Sequence, residues 1–166
     1  WQVLKTQHVK PGKGGAFAQV EMKSVGKNIK LNERFRSSEN VEKASLEETD
    51  FNYLYDDENN YIFMDPKTFE QIEIKKNIIG EKGKLLTENL EVKVSFHNES
   101  PISVELPNQV KCQIETTDVA LKGQTVSSSY KPATLDNGLN VQVPPFIESG
   151  DEVIIDTRTL EYIKKI

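Results

Sequence analysis

Short period-two runs, each cut off by turn residues, are what most constrains the fold of this chain. Apolar and polar residues alternate over 1–9, 16–25, 29–35, 51–55, 61–64, 90–97, 102–106, 110–116, 138–143, 152–157 and 160–166. Alternation of this kind places successive side chains on opposite faces of a strand. Gly26, the run Asp56-Asp57-Glu58-Asn59-Asn60, the run Asn98-Glu99-Ser100-Pro101, and Pro107 break the pattern and read as turns or stops. The polar stretch 37–44 reads as a loop or linker, and Gly123 to Tyr130 as a long serine-rich loop. Only two helical pieces are expected. One is a turn over Asp65–Ile72 with Asp65 as N-cap and Pro66 at the first position. The other is one short helix formed from 77–81 and 84–88. Many short strands with frequent turns predict an all-β chain of small barrels or sandwiches. The 166 residues divide into three blocks, 1–45, 46–108 and 109–166, which suggests three small β-barrels in a row. One long sandwich is the alternative.

Charge is distributed unevenly over those blocks. Residues 1–45 hold nine Lys/Arg against four Asp/Glu, a net of +5; residues 46–108 hold six against fourteen, −8; residues 109–166 hold six against eight, −2. The chain's formal −5 therefore hides a basic N-terminal third. A basic module facing phosphate, carried by acidic modules that limit non-specific binding, accounts for the asymmetry. Chance combined with solubility is the bland alternative.

Self-contained catalysis finds no support. The Gly-Lys-Ser/Thr ending of a phosphate-binding loop is missing from Pro11-Gly12-Lys13-Gly14-Gly15-Ala16-Phe17. No Cys/His spacing suits a metal, and no cofactor is expected. His8 and His97 are isolated strand residues. Asp56-Asp57-Glu58 reads as an acidic turn rather than a cation site, and Ser127-Ser128-Ser129 as loop rather than nucleophile. The lone Cys112 lies in an alternating run, where a buried inert thiol is expected. It excludes an internal disulfide and fits a reducing compartment. No apolar run is long enough to span a membrane. The chain opens on Trp1 inside an alternating run, with no secretory signal pattern, so the first residues of a domain are expected to be missing.

One loop stands out. Lys10-Pro11-Gly12-Lys13-Gly14-Gly15 separates two alternating runs and holds Lys13 between glycines. Glycine permits backbone angles that other residues avoid and adds no bulk. Such a loop can enter a narrow, phosphate-lined place and carry one long cationic side chain to its end. An exposed hairpin lysine that aids solubility is the plain alternative.

That loop and a second stretch together resemble the elongation factor P family. Lys10-Pro11-Gly12-Lys13-Gly14-Gly15-Ala16-Phe17 is similar to the family's tip loop. Residues 131–150, KPATLDNGLNVQVPPFIESG, fill every fixed position of its signature: Lys-x-Ala, four residues, Gly, two, an aliphatic, one, Val-Pro, two, an aliphatic, two, Gly. "FNYLYDD", "FMDPKTFEQI", "PISVELP" and "GDEVIIDTRTLEYIKK" also resemble family sequence, so the likeness covers essentially the whole chain. The resemblance implies an N-terminal SH3-like (KOW-type) barrel over 1–45, then OB-fold barrels over 46–108 (acidic) and 109–166, arranged in an L like tRNA. It also implies that the opening strands of the first barrel lie outside this sequence.

The function it implies is that of a non-catalytic cytoplasmic translation factor, expected as a monomer. Such a factor binds the ribosome beside the peptidyl-tRNA and relieves stalling at consecutive prolines. Lys13 then points toward the peptidyl-transferase centre, extended by a lysine-modifying enzyme. In the related eukaryotic factor the equivalent loop carries hypusine. Keeping Lys13 separates the chain from a paralogous branch that lacks the tip lysine. Contacts to tRNA and ribosomal RNA are expected from Lys5, Lys10, Lys23 and Lys27, and in the third barrel from Arg158 and Lys131; Lys131 has the alternative of bracing the loop before Pro132. Two departures stand out. Gly123-Gln124-Thr125 matches a loop that approaches the exit-site codon, but Gln124 stands where many members have an acid. Leu160 replaces a turn glycine, so a differently shaped corner is expected there. The competing hypothesis is a free-standing OB-fold nucleic-acid-binding protein with no part in peptidyl transfer.

Overall fold

A computed structural model describes residues 1–25, 27, 29–119 and 129–166. Its strands in chain order are β1 (Gln2–Val9), β2 (Phe17–Lys23), β3 (Lys30–Arg36), β4 (Glu47–Asp56), β5 (Asn60–Met64) and β6 (Gln71–Lys75), followed by β7 (Glu91–His97), β8 (Ser100–Glu105), β9 (Gln109–Thr117), β10 (Lys131–Leu135), β11 (Asn140–Val143), β12 (Glu152–Asp156) and β13 (Glu161–Lys165). Between β6 and β7 lie one helical turn, α1 (Lys76–Ile79), and a 3-10 helix (Gly80–Leu85). The strands form three sheets, ordered β1-β2-β3, β6-β5-β4-β7-β8 and β11-β10-β9-β12-β13. The chain is all-β, as the alternation predicts.

Two compact units are present. The first comprises 1–48 with 94–103, and the second 49–93 with 104–166. Most of the core belongs to the second unit. In β9 the alternation is strict: Val110, Cys112 and Ile114 are buried while Lys111, Gln113 and Glu115 are exposed. Val141 and Val143 of β11 and Val153 and Ile155 of β12 complete that interior with Leu135 and Ile147. In the central sheet the rings of Tyr53 and Phe63 meet edge to face, 5.6 Å between centroids, and Tyr53 meets Tyr61 at 6.1 Å. The first sheet has a thin interior, with Val20 and Met22 buried but Trp1, Val3 and Ile29 exposed.

The helical expectations need correction. The turn expected over 65–72 is a single turn at 65–69, and Gln71 and Ile72 belong to β6 instead. The Asp65 carboxylate accepts from the N–H groups of Lys67 (2.7 Å) and Thr68 (3.2 Å), as an N-cap would. Phe69 then turns left-handed, with φ 60, and its N–H bonds the Asp65 carbonyl at 2.9 Å. The chain thus reverses into β6, which pairs with β5 from Met64↔Gln71 to Asn60↔Lys75. The short helix expected over 77–81 and 84–88 is present as α1 running directly into the 3-10 helix, with Gly80 at φ 69 at the junction and residues 86–88 outside it. β10 has no clear mark in the sequence, because Pro132 and a polar approach conceal it. Pro132 has no N–H to give, but its carbonyl accepts the Thr117 hydroxyl at 2.9 Å.

The corner at Leu160 keeps the geometry that a glycine would favour. Leu160 sits at φ 60 and its N–H bonds the Asp156 carbonyl at 2.8 Å. A side chain held in this region costs about 1 kcal/mol or more. The leucine side chain therefore adds strain to that corner.

Candidate nucleic-acid interface

The tip loop is set by the strands on either side. β1 and β2 pair antiparallel from Gln2↔Lys23 to Val9↔Phe17, so residues 10–16 must close the hairpin. Gly14 carries φ +122, which a side chain would strain. Gly12 and Gly15 are different: a Cβ built on either meets no atom within 4 Å. Within the free protein only Gly14 is demanded by the backbone. Lys13 is exposed, and among the described residues it makes neither an ion pair nor a side-chain hydrogen bond.

Register then sorts the charges of the first sheet. Directly opposed residues share a face. Val20, Met22 and Ala18 lie on one face with Val3, Leu31 and Phe35; the opposite face carries Lys5, Lys23, Lys30, Arg34 and Arg36. A bulge between Val3 and Lys5 turns Lys5 to that second face, opposite Glu21. Among the described residues Glu21 is the only carboxylate on that face, and it meets Lys30 loosely at 3.9 Å. Lys5 and Lys23 are therefore brought together. Lys10 and Lys27 lie in loops beyond opposite ends of β2, whose six residue steps from Phe17 to Lys23 span about 20 Å.

Lys30, Arg34 and Arg36 join this face without having stood out in the sequence. The signal was available in the alternation Lys30-Asn32-Arg34-Arg36, which a two-residue period places on one side. The Arg34 guanidinium lies over the Phe17 ring, 3.3 Å from its centroid, a contact worth about 0.5–1 kcal/mol at an exposed site.

Both C-terminal candidates are engaged within the protein. Lys131 Nζ donates to the Asp118 carbonyl. Arg158 grips Asp156 with two donors, Nε at 3.1 Å and Nη2 at 2.7 Å. Those bonds, with the Arg158 backbone N–H, bring the Asp156 carboxyl down to about 2. Gly123, Gln124 and Thr125 lie outside the described residues. Cys112 is buried, and burial first, then the Asp136 charge, push its thiol up to about 11. In the acidic turn, the Asp57 carboxylate is taken up by the N–H groups of Asn59 (2.8 Å) and Asn60 (2.7 Å).

Three family models match the chain in succession: the elongation factor P KOW-like domain over residues 1–41, its OB domain over 46–104, and its C-terminal domain over 110–165. Elongation factor P of Pelagibacter ubique (strain HTCC1062) is 81% identical over 166 residues, covering 100% of this chain and 89% of that protein. The chain belongs to the elongation factor P family. Elongation factor P of Bartonella bacilliformis is 47% identical over 100% of the chain and 87% of its own length, and that of Brucella abortus (strain S19) 48% identical over 99% and 89%. A solved archaeal structure, eukaryotic translation initiation factor 5A from Methanococcus jannaschii, matches in fold with TM-score 0.50 at 22% identity, over 63% of this chain and 75% of its own. As a member of the elongation factor P family, the protein is a translation elongation factor built of a KOW-like domain and two OB domains.

Proposed function

We propose that this member of the elongation factor P family binds the ribosome beside the peptidyl-tRNA and relieves stalling at consecutive prolines by steadying the tRNA CCA end with Lys13. In this reading three barrels, 1–45, 46–108 and 109–166, act as a cytoplasmic monomer, and a lysine-modifying enzyme lengthens Lys13. The observation that carries it is an exposed, unpartnered Lys13 at the end of a hairpin locked in register at Val9↔Phe17. Such a loop can enter a crevice without unfolding the sheet behind it.

Proline fixes φ and stiffens the chain, so a polyproline end sits badly against the incoming amine. The factor contributes positioning and needs no general base. Restoring a geometry that has slipped by about 1 Å is worth about a hundredfold, or ~2.7 kcal/mol. The test is in-vitro translation of a Pro-Pro-Pro message against a proline-free one. Wild type should rescue only the first, and Lys13→Ala should bind ribosomes yet rescue poorly. Equal rescue by Lys13→Ala, compared with modified wild type, sinks the mechanism.

A further inference from the structure

Beside the tip loop lies an open pocket of about 830 Å³, lined by Lys13, Phe17, Arg34, Arg36, Ser37 and Ser38 among others. It has three cations and two hydroxyls but no carboxylate in its wall. Among the described residues no carboxylate ion-pairs with Arg34, Arg36 or Lys13. Glu39, three positions beyond Arg36, accepts the backbone N–H of Arg36 at 3.2 Å rather than its guanidinium. Arg34 is held over Phe17, with its guanidinium carbon 3.3 Å from the ring centroid. The Ser37 N–H bonds the Ala16 carbonyl at 3.2 Å, which ties the pocket's far wall to the root of the loop.

Two unpaired guanidinium groups beside two hydroxyls suit a phosphodiester. A guanidinium presents a planar fork to phosphate oxygens, and stacking on an aromatic ring leaves that fork's edge free. We propose that this pocket is an RNA-phosphate subsite in its own right, with Arg34 and Arg36 as its ligands and Phe17 as the residue that positions Arg34. It rests on the reading of the N-terminal sheet as RNA-facing and names where on that sheet the backbone is gripped. Lys13 then works from an anchored base: the RNA strand is fixed at the root of the loop while the lysine reaches past it.

The test is fluorescence-anisotropy titration of the full chain with an RNA hairpin bearing a short single-stranded 3′ end, over a range of salt concentrations. Arg34→Gln and Arg36→Gln should each weaken binding roughly tenfold at low salt, and together flatten the log–log salt slope by about 1.4–1.8. Phe17→Leu should weaken binding less, and not at all when added to Arg34→Gln, since its only part is to place that side chain. Lys84→Gln, in the second unit, should change nothing. Thermal melts check that each variant folds. Should Arg34→Gln melt early, Arg34→Lys takes its place and should keep the slope while losing affinity. If the arginine variants keep the full slope while Lys5→Gln and Lys23→Gln flatten it, the RNA-facing reading stands and the subsite falls. If wild type shows no salt-dependent binding, both fall. Arginine variants that bind RNA normally but are no longer modified on Lys13 would assign the pocket to the modifying enzyme and overturn the proposal.

Discussion

At the residue scale the three tip glycines separate into two kinds. Gly14 is held by its φ of +122, whereas Gly12 and Gly15 face open space. Alanine at 14 should lower stability by about 1 kcal/mol, because it forces a side chain into that region. Alanine at 12 or 15 should leave the melting temperature within about 1 °C yet impair rescue at proline runs, since added bulk matters only where the loop enters a narrow place. Full rescue by Gly12→Ala and Gly15→Ala together would remove the argument that the loop is thin for a reason. Asp156 gives a second residue-level prediction. Its folded-state pKa is depressed to about 2, with the Arg158 side chain as the main cause. A depressed carboxylate stabilises the fold above its unfolded pKa, near 3.8, and loses that contribution as pH falls toward 2. Asp156→Asn should therefore be less stable than wild type at neutral pH, with the gap closing between about pH 4 and 2. Denaturant melts across that range would show it, and a gap that persists at pH 2 would assign the loss to packing instead.

At the element scale, what the sequence disclosed and what it concealed have different physical causes. β9 and β12 were legible because strict alternation reports a sheet with one buried face. β6 was hidden because Asp65 and Pro66 carry the signals of a helix start, and only the left-handed Phe69 diverts the chain. A side chain's ability to sit at φ 60 is decided by tertiary context, so no local pattern shows it. The same holds for Leu160. For the interface, the tip loop was plain in sequence. The cationic face behind it needed register, and the Phe17–Arg34 stack joins residues on different strands that no spacing rule connects. The 3-10 helix supplies the prediction at this scale. Gly83 is buried, and a Cβ there would stand 2.3 Å from the Tyr61 hydroxyl and 2.5 Å from its ring carbon Cζ. The Tyr61 ring is hemmed in by Tyr53 and by Lys76, whose Nζ lies 5.2 Å from the ring centroid. Gly83→Ala should thus cost about 1–3 kcal/mol by overpacking. Pairing it with Tyr61→Leu should recover most of the loss, and a variant as stable as wild type would mean that the helix shifts freely.

At the scale of the whole molecule the question is whether net charge or its arrangement governs association. A chain at −5 should be repelled by RNA if only the total mattered. Screening makes arrangement decisive. The Debye length is about 8 Å at physiological salt, shorter than the cationic face, which runs about 20 Å from the Lys23↔Lys30 pair to the Phe17↔Arg36 pair. Among the described residues, phosphates that approach that face therefore meet five cations and one carboxylate. This gives a prediction at constant net charge. Lys5→Gln with Lys23→Gln, and separately Lys67→Gln with Lys75→Gln, each lower the formal charge by two. The first pair should weaken ribosome binding and flatten the salt slope by about 0.7–0.9 for each phosphate left without its cation. The second pair, drawn from the acidic block, should leave the slope unchanged. Co-sedimentation with ribosomes across a salt series measures both. If the two pairs weaken binding equally, total charge is in control and the face has no special part. If only the first pair acts, the sign that matters to RNA is set by strand register, which turns alternate residues of three short strands toward one partner.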